Sequence, residues 1–141
     1  MASDEINEPQ QYPVLPQLAK LVWVRFPHTI GVPGPYPRPA LVIAVSREHH
    51  AVKVVFGTSQ KTDRIYPTEF VVRKTDPDYH LTGLSYDTKF DMSRQVNLPY
   101  NSEWFAIPPA REGHPVPTTP ELGTLPASYL PAIKKAAYRV K

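Results

Sequence analysis

Hydrophobic and polar positions alternate in short runs along most of the chain, which is the pattern of half-buried β-strands. The first run, Leu-Val-Trp-Val-Arg-Phe at 21–26, ends before Pro27. Two β-branched runs, 40–46 and 52–56, flank the polar residues 47–50 and predict a β-hairpin. Three strands are therefore expected in the first half of the domain.

The second half contains weaker strand signals. The candidate segments are 69–73, 88–90, 95–98 and 104–107. The chain also has 18 prolines, which cannot donate in a sheet ladder or lie in the middle of a helix. We therefore expect five to seven short strands joined by long, stiff loops.

Only the C-terminal segment, residues 128–140, has helical periodicity. Its apolar stripe comprises Leu130, Ile133, Ala137 and Val140. Ser128 can cap the helix, and Pro131 falls in the first turn, where its missing N–H costs little. Many short strands followed by one amphipathic helix predict a mainly β fold, a compact barrel with a C-terminal helix packed on it.

The chain divides into a leader and one domain. Residues 1–17 lack periodicity and mix acids, glutamines and prolines, which predicts a flexible leader. Residues 18–141 are long enough for a single domain with a real core. Within this domain, 108–126 is a Pro-rich insert.

The composition excludes several classes of function. The chain has no cysteine, so disulfides, thiol catalysis and cysteine-zinc sites are ruled out, and a cytoplasmic protein is expected. The longest apolar stretch, 41–45, is far shorter than the ~20 residues that cross a bilayer. The net charge of +3 is compatible with phosphate contacts. His49 and His50 are adjacent and would point to opposite faces of a strand, so no metal site is expected.

Three motifs follow one another between residues 20 and 62. Lys20-Leu-Val-Trp-Val-Arg-Phe-Pro27 precedes a Gly/Pro loop, then come Arg38-Pro-Ala-Leu-Val-Ile43 and Val54-Val-Phe-Gly-Thr-Ser-Gln-Lys61. This order resembles the PemK/MazF family of toxins. The resemblance implies an SH3-like barrel, usually a homodimer, that cleaves single-stranded RNA without a metal or cofactor and is silenced by an antitoxin protein.

The resemblance assigns the family's catalytic arginine to Arg38 and its catalytic threonine to Thr58. RNA cleavage without metal needs a base for the ribose 2′-hydroxyl, a donor for the leaving oxygen and positive charge on the transition state. Arg38 enters a strand from a Pro-stiffened loop, so its guanidinium could be held in place to supply the last two. The alternative is a surface arginine in a salt bridge.

Thr58 and Ser59 could offer a hydroxyl and backbone N–H groups to a phosphate oxygen, with Gly57 allowing close approach. The alternative is an ordinary turn with self-bonded hydroxyls. The remaining polar candidates for RNA binding are Gln60, Lys61, Arg64 and Arg25.

The general base is not evident from the sequence. His28, in the first loop, titrates near neutrality and is a candidate for this catalytic role, or is merely exposed. Trp23, Phe26 and Tyr36 could stack on bases. Strand aromatics more often pack in the core, so Tyr36, in a loop, is the better candidate for stacking.

Two functions remain open at this stage. The first is an endoribonuclease toxin in which the loops 28–37 and 59–66 form the RNA groove. The second is a catalytically inactive SH3-like barrel that binds nucleic acid or protein. The second is favoured by the segment 30–37, which has no acidic residue, whereas the best-known members of the family carry one in this loop.

Overall fold

The computed structural model describes residues 8–27 and 31–140. Its six strands form one antiparallel sheet. The elements in this part of the chain are β1 (Lys20–Arg25), β2 (Pro37–Ser46), β3 (Ala51–Thr58), β4 (Glu69–Val72), β5 (Thr88–Pro99), β6 (Glu121–Thr124) and α1 (Leu130–Tyr138). Two short 3-10 helices span Tyr79–Leu81 and Ala127–Tyr129.

The strand order in the sheet is β4-β5-β3-β2-β1-β6, and the sheet curls into a half-barrel. The predicted hairpin is confirmed, because β2 pairs with β3 with Val42 opposite Val54. The prediction of a mainly β fold with one C-terminal helix is also confirmed. β1 lies between β2 and β6, so the first strand of the sequence is interior to the sheet.

Buried side chains form a core on each face of the sheet. The first core contains Leu21, Leu41, Val55, Phe70, Val72, Leu84, Phe90, Met92, Leu125, Tyr129 and Ala136. The second contains Val22, Val24, Ala40, Val42, Val52, Val54, Leu98, Tyr100, Trp104 and Phe105. The two sets alternate along β1 and β2, because neighbouring side chains of a strand point to opposite faces.

Helix α1 packs on β4 and β5 and covers one end of the first core. It is shorter than the predicted 128–140, since a 3-10 turn occupies Ala127–Tyr129. Tyr129 is the N-cap without a side-chain cap bond, so the predicted cap at Ser128 is wrong. Pro131 lies in the first turn as predicted. With nine residues, α1 cannot cross a bilayer, and the described residues form no other helix long and apolar enough to do so.

The predicted strands of the second half need correction at two places. The segments 88–90 and 95–98 are strand as predicted, but they belong to one continuous strand, β5, which pairs with β3 near both of its ends and with β4 at residues 88–91. The segment 104–107 forms only an isolated bridge between Phe105 and Val24. The register between β3 and β5 shifts between Val55 and Gly57, opposite the mostly polar residues 91–94 of β5, so the sequence pattern there resembles a break between two strands.

The last strand, β6, lies inside the segment 108–126 that the sequence assigns to a Pro-rich insert. Its backbone touches the loop that precedes β5. A Cβ on Gly123 would lie 2.5 Å from the Leu81 carbonyl oxygen, and one on Gly83 would lie 2.1 Å from the Leu122 carbonyl oxygen. Two glycines thus allow this loop to pack directly against β6.

In the described part of the segment before β1, Tyr12 forms hydrogen bonds with residues of the domain. The Tyr12 amide donates to the Tyr100 carbonyl at 3.2 Å, and the Tyr12 hydroxyl donates to the Phe105 carbonyl at 3.1 Å. The His50 ring nitrogen Nε2 lies 2.6 Å from the Tyr12 carbonyl oxygen. Tyr12 and Leu15, within the predicted flexible leader, pack against the second core.

Candidate functional site

A cleft of about 350 Å³ opens beside the first core, where the start of β2 meets the end of β3. Its walls are Trp23, Pro37, Arg38, Pro39, Gly57, Thr58, Ser59, Gln60, Gly83, Leu84, Ser85, Tyr86, Thr88, Pro108, Pro109, Arg111 and Leu122. The cleft exists because the loop before β5 packs on β6 and closes one side. Its size is within the range of about 300–1,000 Å³ that is typical of ligand sites.

Arg38 is half-buried in the wall of the cleft, and its guanidinium is stacked. The guanidinium carbon lies 4.3 Å from the centre of the Phe26 ring, and Phe26 packs edge-on against Phe56 with ring centres 5.0 Å apart. Within residues 8–27 and 31–140, Arg38 forms no ion pair, so the salt-bridge alternative is wrong for this part of the chain. Stacking fixes the plane of the fork while its N–H edge stays available to an anion.

Thr58 reaches the same cleft from the neighbouring strand. The antiparallel pairing of β2 and β3 places Ala40 opposite Phe56. Arg38, two residues before Ala40, and Thr58, two residues after Phe56, therefore lie at the same end of the two strands. The Thr58 hydroxyl oxygen accepts a hydrogen bond from the Gln60 amide at 3.1 Å. This bond is the self-bonded turn that the sequence left as an alternative, and it leaves the hydroxyl proton free to donate.

Gly57 holds Thr58 close to β5. A Cβ at this position would lie 2.7 Å from Cγ2 of Thr88 and 2.8 Å from Cε1 of Phe90, both of which are buried. Only a residue without a side chain allows β3 and β5 to approach this closely. The glycine therefore has a packing role beside Thr58, which lines the cleft.

The other predicted RNA-binding residues divide into two groups. Ser59 and Gln60 are exposed and line the cleft. Three cationic candidates do not line it, namely Arg25, Lys61 and Arg64. The Arg64 carbonyl accepts a hydrogen bond from Lys89 Nζ at 2.9 Å, which ties its loop to β5.

Tyr36 is 72% exposed and immediately precedes Pro37, a residue of the cleft wall. It is therefore placed at the rim and not inside. Trp23 is half-buried, lines the cleft and belongs to neither buried core, so it contributes to the apolar wall of the site. Phe26 contacts Arg38 instead of the interior of the cleft.

The predicted catalytic base, His28, lies outside the described residues. No carboxylate or imidazole lines the cleft in the part of the chain that the structure describes. The site as described consists of two guanidinium groups, a side-chain amide, hydroxyls and apolar walls. It can bind an anion and stabilise negative charge, but its described side chains include no conventional base.

Sequence reasoning missed Tyr86 and Arg111, which line the cleft from the loop before β5 and from the Pro-rich segment. The Tyr86 carbonyl accepts a hydrogen bond from the Tyr79 hydroxyl at 2.9 Å, which fixes the loop. Burial and the nearby Asp87 raise the pKa of Tyr79, while the Arg111 charge lowers it. The sequence signal that could have indicated Arg111 is its position among the prolines of residues 108–120, far along the chain from the other candidates.

Comparison with known proteins adds no family assignment. No family model matches the chain, and no curated protein is similar to it. The resemblance to PemK/MazF toxins therefore depends on the three motifs and on where the fold places their residues.

Proposed function

We propose that this chain is a PemK/MazF-like toxin with an SH3-like barrel, a metal-independent endoribonuclease that cleaves single-stranded RNA. One observation carries the proposal. Arg38 and Thr58, the two residues that the resemblance makes catalytic, come from different strands and line one cleft with a stacked guanidinium and a hydroxyl proton free to donate.

The proposed reaction uses the ribose 2′-hydroxyl as the nucleophile. This hydroxyl loses its proton, its oxygen bonds to the adjacent phosphorus, and the bond from phosphorus to the 5′-oxygen breaks as that oxygen gains a proton. The products are a 2′,3′-cyclic phosphate and a 5′-hydroxyl. Arg38 would stabilise the extra negative charge on the phosphoryl oxygens, and Thr58 would donate a hydrogen bond to one of them.

The proton acceptor lies outside the set of residues that the structure places in the cleft. His28 remains the predicted base, since imidazole is neutral and basic near physiological pH. Trp23 would provide an apolar face for a base, and Tyr36 would stack at the rim. A homodimer and an antitoxin that occupies the cleft complete the proposal on the strength of the resemblance.

The second candidate is a catalytically inactive barrel that binds nucleic acid or protein through the same cleft. It is favoured by the absence of a carboxylate or imidazole from the described lining. Such a site would bind phosphates through Arg38 and Arg111 without activating the 2′-hydroxyl. The two candidates therefore share residues and differ in turnover.

The deciding experiment incubates the purified protein with end-labelled single-stranded RNA of mixed sequence in excess EDTA. Discrete fragments with 2′,3′-cyclic phosphate ends are expected. Arg38→Ala should reduce the cleavage rate about 10²–10³-fold, as for loss of a transition-state donor. Arg94→Ala is the matched control, because Arg94 is an exposed arginine outside the cleft, and it should cleave like the original protein.

Intact RNA with all variants, together with binding that weakens in Arg38→Ala, would establish the binding module instead. Intact RNA without any binding would remove the endoribonuclease and the RNA-binding form of the second candidate. Thermal melts of each variant check that a lost signal is not lost folding.

A further inference from the structure

A second cavity adjoins the cleft along the Pro-rich segment. Its volume is about 300 Å³, and it shares Pro108, Pro109, Arg111 and Leu122 with the cleft. Its outer wall is formed by residues 114–118, which include His114. The two cavities therefore form one path across the surface, with Arg111 on the wall that they share.

The wall along this path is stiff. Five prolines lie between residues 108 and 120, and each proline has a fixed φ and no backbone N–H. The His114 amide donates to the Arg111 carbonyl at 3.1 Å, which closes a turn in the segment. A stiff wall loses little entropy on binding, so it suits a ligand that must be held in an extended conformation.

Arg111 is the cation at the place where the two cavities meet. Its side chain is exposed, and within the described residues it forms no ion pair. The one carboxylate in the lining of the second cavity, Glu121, lies 3.6 Å from Lys20 Nζ, so its charge is partly compensated. Arg38 and Arg111 thus give the path two available guanidinium groups, which fits a ligand with repeated negative charges.

We propose that the second cavity is a further subsite for RNA, in which Arg111 binds a backbone phosphate of the nucleotides beyond those held at Arg38 and Thr58. This inference rests on the proposed function, because it assumes that the cleft holds RNA. It assigns to the Pro-rich segment, which has no counterpart in the motifs of the resemblance, the role of lengthening the bound strand.

The test measures binding of 2′-O-methyl oligonucleotides, which cannot be cleaved by attack of their 2′-oxygen. A trinucleotide and an octanucleotide of mixed sequence are titrated with the full chain by fluorescence anisotropy at several salt concentrations. The octanucleotide should bind at least tenfold more tightly and with a steeper salt dependence. Arg111→Ala should remove about tenfold of this affinity and lower the slope of log K against log salt by about 0.7, the value for one phosphate of a single strand.

Two further variants separate charge from structure. Arg111→Lys should keep the salt slope, because it keeps the cation. Arg94→Ala should leave both oligonucleotides unaffected, since Arg94 lies outside both cavities. Thermal melts should not distinguish Arg111→Ala from the original protein, because the side chain is exposed.

The possible failures are distinguishable. If both oligonucleotides bind equally in an Arg38-dependent manner and Arg111→Ala has no effect, the subsite is overturned while the proposed function stands. If neither oligonucleotide binds, both are overturned. If neither binds but an acidic peptide binds in an Arg111-dependent manner, the cavity belongs to a protein partner and the RNA subsite is again overturned.

Discussion

Replacing Lys89 by methionine removes the cation of the most buried ion pair among the described residues. Lys89 Nζ lies 3.1 Å from Glu69 Oε1, and the two side chains are 8% and 11% exposed. The same ammonium donates to the Arg64 carbonyl at 2.9 Å. Methionine has a similar length and no charge, so Lys89→Met keeps most of the packing and leaves the carboxylate without its partner.

The cost follows from burial. At 3.1 Å the attraction between unit charges is about 5 kcal/mol at an effective dielectric constant of about 20, but desolvation offsets much of it. The remaining partner of Glu69 Oε1 is the Tyr66 amide, which donates at 2.9 Å. Removing one member of a buried pair typically costs about 3–5 kcal/mol, because the other charge stays buried. We expect about 3 kcal/mol, a large share of the ~5–15 kcal/mol that stabilises a domain.

The assay is urea unfolding followed by tryptophan fluorescence. With a slope of about 2 kcal/mol/M, the midpoint of Lys89→Met should fall by about 1.5 M urea with an unchanged slope. Glu69→Gln, which keeps an acceptor for the Tyr66 amide, completes a double-mutant cycle. The double variant should be more stable than the sum of the single losses predicts, by about 1–3 kcal/mol.

Arg94→Met is the matched control for this cycle. Arg94, which like Lys89 is a residue of β5, pairs with the Asp91 carboxylate, but its side chain is 83% exposed. Its loss should therefore cost less than about 0.5 kcal/mol. The reasoning is refuted if Lys89→Met costs no more than this control, or if the two single losses simply add. Either result would mean that the pair behaves as a surface pair despite its burial.

Two further predictions concern the loop before β5 and the acid limb of stability. Gly83→Ala should lower Tm by about 10 °C, since its Cβ would meet the Leu122 carbonyl and its φ is +72°, which together cost about 3 kcal/mol. Gly113→Ala has a φ of +81° but an open surrounding, so calorimetry should show a smaller loss, and equal losses would contradict the clash. Burial of Asp91 opposes its ionisation, but hydrogen bonds led by those from Ser93 lower its pKa. Its ionised form therefore stabilises the fold at neutral pH, and the stability difference from Asp91→Asn should shrink as pH falls below about 4. Urea midpoints from pH 7 to 2 measure it, and a constant difference would argue against a role for the charge.

The sequence by itself determined the elements that local physics specifies. Period-two alternation predicts β1, β-branched runs around a polar turn predict the hairpin of β2 and β3, and an apolar stripe with a proline in the first turn predicts α1. These signals depend on neighbours in the chain. The resemblance of the motifs to a toxin family likewise lies within residues 20–62, and its short local motifs are enough to single out Arg38 and Thr58.

Only the tertiary structure decided the rest of the sheet and the shape of the site. β5 continues through a polar stretch because it pairs with β3 on both sides of a register shift, and β6 forms where Gly123 allows close backbone contact. The cleft has walls from distant segments, including Arg111, because the loop at Gly83 packs on β6. These features depend on contacts between residues far apart in the chain. A local pattern of hydrophobic and polar positions does not specify which distant segments of backbone will be in contact.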